Sequence, residues 1–207
     1  MTASSRKYTR TPIKGLILIG GMSSRMGRDK SKLSYHGVSQ KEFAKQLLED
    51  RGLESYFSVR DFLPDSQAGS TSLEMTKENS IKDAIPNLGP FGGIYSAFQQ
   101  DTNSAWFVLA TDLPFVNEEL IELVLENRNP EKMATVVQGK NKEYPEPLIA
   151  IYEPKIYPAL QQHLQKEQLS LVKILRNSDV EIIRVNDALI RNVNTLEEYE
   201  KAKKELN

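Results

Sequence analysis

The 207-residue chain contains no cysteine. That absence excludes disulfides, thiolate nucleophiles and cysteine-ligated metals together. Histidine is nearly as scarce: His36 and His163 fall in a turn and on a helix, and neither has the spacing of a metal pair or of a Ser–His couple. No sign of charge predominates. The 27 Lys and Arg residues offset the 28 Asp and Glu residues to a net charge of −1, which leaves no basic field for nucleic acid. Apolar runs are too short to span a bilayer, so no membrane partner is expected. Residues 1–10 are basic without the apolar core of a secretory signal. A cytoplasmic, reduced setting is the expectation. No internal repeat is present.

The chain is organised around Gly15–Leu33, G-L-I-L-I-G-G-M-S-S-R-M-G-R-D-K-S-K-L. Leu16–Ile19 is an apolar run of the kind that fills a strand buried on both faces. It breaks into Gly20-Gly21 and a polar loop with Arg25, Gly27, Arg28, Asp29 and Lys30. Glycines after a buried strand let backbone N–H groups approach phosphate closely. Arg25 brings a planar fork to a triphosphate and Lys30 a point charge. The Walker A spacing is absent, because Arg28 and Asp29 follow Gly27. The dinucleotide pattern G-x-G-x-x-G is absent too, since Met22 follows Gly20-Gly21.

Further along, strands alternate with helices. Helix signals cover Gln40 to Asp50, Ile94 to Gln100, Asn117 to Glu126, Lys155 to Gln165, Leu169 to Leu175 and a last segment from Thr195. Asn117 serves as an N-cap, and Thr195 with Glu198 forms a capping box. Strand signals cover Tyr56–Val59, Ile81–Ile85, Trp106–Thr111, Met133–Val137, Leu148–Tyr152 and Glu181–Val185. Pro64 to Ser80 reads as a loop. The alternation predicts a three-layer α/β fold, a mostly parallel sheet with helices on both faces. Residues 1–12 are expected to be flexible and 13–207 to form one domain.

Ligands of open parallel sheets bind beyond the carboxyl ends of the strands. Three features fall there: the Gly20–Lys30 loop, the stretch from Asp83 to Gly93, and Asp112. Asp112 ends an apolar strand in A-T-D-L-P-F and offers a hard oxygen suited to Mg²⁺, which takes one or two carboxylates with substrate phosphates.

The signature L-x-G-G-x-S-x-R-M-G-x-D-K-x-x-L, from Leu18 to Leu33, resembles the molybdenum cofactor guanylyltransferase (MobA-like) family of nucleotidyltransferases. The likeness continues, in order, through Asp83, Gly89, Pro90 and Gly93, through the Asp112 segment, and through Asn192-Val-Asn194-Thr195. It implies a Rossmann-like fold of the nucleotide-diphospho-sugar transferase type. The implied reaction moves GMP from GTP to molybdopterin with release of pyrophosphate. By the same resemblance Asp112 is the Mg²⁺ ligand, and Leu18, Ile19, Gly20, Gly21, Asp83, Gly89, Gly93 and Asn194 line the nucleotide site. Catalysis falls to Arg25, Lys30 and Asp112.

Three positions depart from the family pattern: Ile19 for alanine, Glu146 for histidine and Leu196 for proline. Glu146 lies in the segment that faces the second substrate in the family, so it bears on acceptor identity. Ile19 bears on the nucleotide. A CTP-using cytidylyltransferase is the nearest rival, although Gly20 stands where such enzymes tend to have alanine. A sugar-phosphate nucleotidyltransferase and a non-catalytic nucleotide-binding paralogue are the other readings. Oligomeric state is not legible.

Overall fold

The computed structural model describes residues 11–19, 34–59 and 79–206. Its seven strands are β1 (Ile13–Leu18), β2 (Ser55–Val59), β3 (Ser80–Lys82), β4 (Ala105–Ala110), β5 (Ala134–Gly139), β6 (Glu146–Tyr152) and β7 (Val180–Val185). They form one sheet in the order β3-β2-β1-β4-β6-β5-β7. Every pairing is parallel except the two made by β6, with β4 and with β5. The sheet is therefore mostly parallel, as expected. All six residues of β4 are buried, which explains its unbroken apolar composition.

Among the described residues six helices cover the sheet: α1 (Gln40–Glu49), α2 (Pro90–Gln100), α3 (Glu118–Glu126), α4 (Tyr157–Gln165), α5 (Leu171–Arg176) and α6 (Leu196–Leu206). Residues of opposite parity on a strand face opposite ways. Gly15 of β1 lies against Leu48 of α1, whereas Leu18 lies against Gly93 of α2. α1 packs on α3, and α2 on α4, which in turn meets α5. Helices thus occupy both faces.

Local chemistry sets the boundaries. Ser39 and Glu42 form a capping box at α1, and the Asn117 side chain accepts the Leu120 N–H at 3.0 Å. At α6 the expected box is present: Glu198 N–H donates to Thr195 Oγ1 at 3.2 Å, and Thr195 N–H to Glu198 Oε2 at 3.0 Å. α2 begins a turn before the expected Ile94, because Pro90 takes the first helical position behind Gly89 at φ 59°. A side chain at Gly89 would be strained by that backbone. The third strand is shorter than Ile81–Ile85. Ser96 Oγ accepts the Ala84 N–H at 2.8 Å and turns the chain toward α2. The segment Lys155–Gln165 starts with a 3-10 turn, Pro154–Ile156, before α4. Of the stretch expected to be flexible, residues 1–10 lie outside the described residues. Residues 11 and 12 are fastened: Thr11 O accepts from Arg128 and Pro12 O from Ala105 N–H. The Pro64–Ser80 loop lies almost wholly outside the described residues. None of the described helices is long and apolar enough to cross a membrane.

The main buried charge is a bidentate pair. Arg128 Nε and Nη2 donate to Glu153 at 2.7 and 2.9 Å, and Nη1 donates to Thr11 O at 2.9 Å. Glu153 is 1% exposed, so removing it strands a buried guanidinium. Glu153→Ala is expected to lower the unfolding free energy by about 3 kcal/mol, read from the urea midpoint, and a midpoint equal to wild type would refute the assignment.

Candidate active site

β4 is the middle of the sheet, and Asp112 stands just past its carboxyl end. The chain's C-terminal segment fixes it there. Val193 N–H donates to Asp112 O at 2.8 Å, and Asn192 Nδ2 lies 3.4 Å from Asp112 Oδ2. Asn194, by contrast, donates its backbone N–H to Glu198 at 2.7 Å and is exposed at the entry to α6. Asn192 reaches the Asp112 carboxylate.

On one side of Asp112, across β1, β2 and β3, lie the residues assigned to the nucleotide. Leu18 is buried, and its carbonyl accepts Thr111 N–H at 3.3 Å. Ile19, partly buried, packs against the main core. Asp83 is 7% exposed, and Ser58 Oγ donates to its Oδ1 at 3.0 Å. Gly92 and Gly93 open the way for this arrangement. A Cβ on Gly93 would stand 2.7 Å from Leu18 Cδ2 and collide with Ser58 Oγ, so α2 approaches the sheet only through glycine. Gly93 thus sits under Leu18 and Ser58, while Gly89 forms the turn before α2. Ser58 escaped the sequence reading. Its signal was a lone hydroxyl inside the buried strand Y-F-S-V.

A third group of contacts braces this edge. Tyr199 Oη donates to Ser34 O at 3.1 Å, and its ring meets Tyr35 edge-on with centroids 4.9 Å apart. His36 stacks on Phe43 at 3.7 Å, and its Nε2 lies 3.0 Å from Pro114 O. The segment after the first glycine-rich loop, the turn after β4 and α6 are thereby joined. Burial, with the charges of Tyr199 and Asp112 adding to it, pushes the Tyr35 phenol well above its usual range. His163 lies on α4, with Nδ1 3.2 Å from Gln168 O, away from this edge.

On the other side of Asp112 is a cavity of about 500 Å³. Lys142, Tyr144, Glu146, Asp187, Arg191 and Asn192 line it. Because β6 runs against β4, its first residue, Glu146, arrives at the edge where β4 ends. Burial raises the Glu146 carboxyl from its ordinary 4.5 to about 7. The Leu148 N–H at 3.1 Å opposes that shift, the negative charge of Asp112 adds to it, and Lys142 lowers it.

Gly20, Gly21, Arg25 and Lys30 lie outside the described residues. Among the described residues no group of three or more acidic or histidine side chains could hold a metal ion. A single hard carboxylate, Asp112, stands at the strand edge, an oxygen donor of the kind that a divalent cation takes together with substrate phosphates.

A sheet of this strand order, parallel but for β6, with a carboxylate past the end of its middle strand and a cavity beside it, is of the nucleotide-diphospho-sugar transferase type of fold. The family profile for the MobA-like NTP transferase domain matches residues 15–182. The chain belongs to the MobA-like NTP transferase family, and with it to a class of enzymes, the nucleotidyltransferases. It is 30% identical over 202 residues to a molybdenum cofactor biosynthesis bifunctional protein of Synechocystis, covering 96% of this chain and 56% of that protein. The chain therefore spans little more than half of that relative. It is 28% identical to a probable molybdenum cofactor guanylyltransferase of Natranaerobius thermophilus, covering 94% of this chain and 96% of that one. In fold it is similar to molybdopterin-guanine dinucleotide biosynthesis protein A from Archaeoglobus fulgidus, with TM-score 0.71, 24% identity, and coverage of 92% and 97%.

The raised Glu146 carboxyl has a consequence for stability. The folded chain holds that proton to about pH 7, whereas an unfolded chain releases it near 4.5. Stability therefore falls as pH rises between those values, where the folded state binds more protons. In metal-free buffer, wild type should lose stability relative to Glu146→Gln from pH 4.5 to about 7 and no further above. Parallel pH profiles of the two proteins in chemical unfolding would refute the assignment.

Proposed function

We propose that the chain is a nucleotidyltransferase that moves GMP from GTP to molybdopterin and releases pyrophosphate, in the cytoplasm and with Mg²⁺ as its cofactor. The observation that carries the reading is the position of Asp112. It stands between the Leu18–Asp83 side of the sheet and a separate cavity, with Asn192 on its carboxylate. Transfer between two phosphates needs two substrates meeting at one charged centre, and that layout supports it. An acceptor phosphate oxygen bonds to the α-phosphorus of GTP, the bond from that phosphorus to the bridging oxygen breaks, and pyrophosphate carries away the electron pair. No protein nucleophile is required, in keeping with a chain that lacks cysteine.

Asp112 would hold the metal, which when bound supplies charge neutralisation along the triphosphate. Arg25 and Lys30 would balance the phosphate charge, and Leu18, Ile19, Gly20, Gly21, Asp83, Gly89 and Gly93 would frame the guanine and ribose. Asn194 would approach the phosphates from the start of α6. Guanylyltransferase relatives over most of the chain support the choice of GTP and of a molybdopterin acceptor.

Calorimetric titration of GTP, CTP, ATP and UTP, with and without Mg²⁺, tests the nucleotide. Selective GTP binding whose Mg²⁺ dependence disappears in Asp112→Ala is the expected result. A preference for CTP would move the product to a cytosine dinucleotide. In a turnover assay, Asp112→Ala and Lys30→Ala should each lower the rate by about a hundredfold or more with an unchanged melting curve. Full activity in either variant would overturn the assignment.

A further inference from the structure

The proposed reaction leaves open how this chain recognises the ring system of its acceptor, and the cavity beside Asp112 supplies an answer. The sheet order separates two approaches to Asp112. β1, β2 and β3 lie on one side with Leu18, Ser58 and Asp83, and β6, β5 and β7 lie on the other with the cavity. A nucleotide on the first side leaves the second for the group that attacks it, since entering and leaving oxygens stand roughly in line across the phosphorus. Asn192 joins the two: it lines the cavity and reaches the Asp112 carboxylate at 3.4 Å.

The contents of the cavity are chemically divided. Lys142 is a cation fit for an acceptor phosphate, while Arg191, which also lines the cavity, is paired with Glu205. Glu146 is the unusual member. It is recessed in the wall, and its Oε1 accepts the Leu148 N–H at 3.1 Å. Its Oε2 takes no hydrogen bond from any described residue. A carboxylate held by one backbone N–H keeps acceptor capacity for two parallel donors. A 2-amino-4-oxo pteridine presents such a pair, the ring N3–H and the exocyclic 2-amino group. A volume of about 500 Å³ accommodates a bicyclic ring with a short substituent.

We propose that Glu146 is a specificity-determining residue that reads the amino-pyrimidinone edge of a pterin acceptor seated in the cavity between the β5–β6 turn and the Asp187–Asn192 segment. This inference rests on the reading of the chain as a transferase with a pterin acceptor. It concerns a position where the chain carries a carboxylate in place of the imidazole usual in the family, so its recognition of the ring is its own.

The test compares pterin with lumazine, which replaces the 2-amino donor by a carbonyl acceptor and keeps the bicyclic shape. Fluorescence titration of the full chain at about pH 8.5, where Glu146 is ionised, should show pterin binding about tenfold or more tightly than lumazine, the scale of a charge-assisted hydrogen bond set against a facing acceptor. Glu146→Gln and Glu146→Ala should lower pterin affinity to the lumazine level and leave lumazine affinity unchanged, with GTP binding retained as the sign of an intact fold. Equal binding of the two ligands by wild type, no pterin binding by wild type, or undiminished preference in both variants would overturn the proposal. GTP binding and pyrophosphate release are scored separately. Their loss in wild type would refute the transferase reading, whereas intact turnover with lost pterin discrimination would refute the role of Glu146 alone.

Discussion

Strand β4 imposes the constraint on which the rest of the molecule depends. It pairs in parallel with β1 and antiparallel with β6, and all six of its residues are buried. A strand buried on both faces cannot slide without exposing apolar side chains or breaking ladders on two sides. Its carboxyl end is consequently a fixed point, and Asp112 inherits that rigidity. The reversal of β6 matters as much. Parallel neighbours bring only carboxyl ends to this edge, but the antiparallel strand delivers its amino end, and with it Glu146, to the same place.

Two kinds of force hold the edge together. Close packing sets the side of β1, β2 and β3: α2 lies against Leu18 and Ser58 because Gly93 has no side chain, and Ser96 ties the segment after β3 to the helix. Hydrogen bonds from distant segments set the other side. Val193 and Asn192 grip Asp112, Tyr199 grips Ser34, and His36 reaches Pro114 O. A small apolar cluster of Tyr35, Val193, Tyr199 and Ala202 keeps water from these bonds. The C-terminal helix is thus part of the site's framework, although it touches the sheet little.

Charge is distributed unevenly in consequence. Arg128 and Glu153 are buried but matched, and they fasten Thr11 to the far end of the sheet. Glu146 is recessed near another carboxylate, which raises its affinity for a proton. Structural charges are paired away from the site, and an incompletely compensated one stands in the cavity beside Asp112. That contrast marks where a ligand group would complete the arrangement.

Much was legible in the chain itself. Leu16–Ile19 and Trp106–Thr111 announced buried parallel strands because strands covered on both faces are apolar throughout. Asn117 and the Thr195–Glu198 pair are locally determined caps, and the structure has them where their spacing puts them. The fixed offsets from Leu18 to Leu33 identified the family, since a contiguous motif can be read without the fold. Other features had no local signal. The direction of β6, the hydroxyl of Ser58 on Asp83, the reach of Asn192 to Asp112, and the Tyr35–Tyr199 contact each join residues far apart in the chain. By itself, the sequence determined the class of fold, the family and the strand that carries Asp112, because these follow from local hydrophobic pattern and contiguous motif. Only the tertiary structure decided what surrounds that carboxylate, because burial and electrostatic environment arise from segments that meet in space and not in sequence.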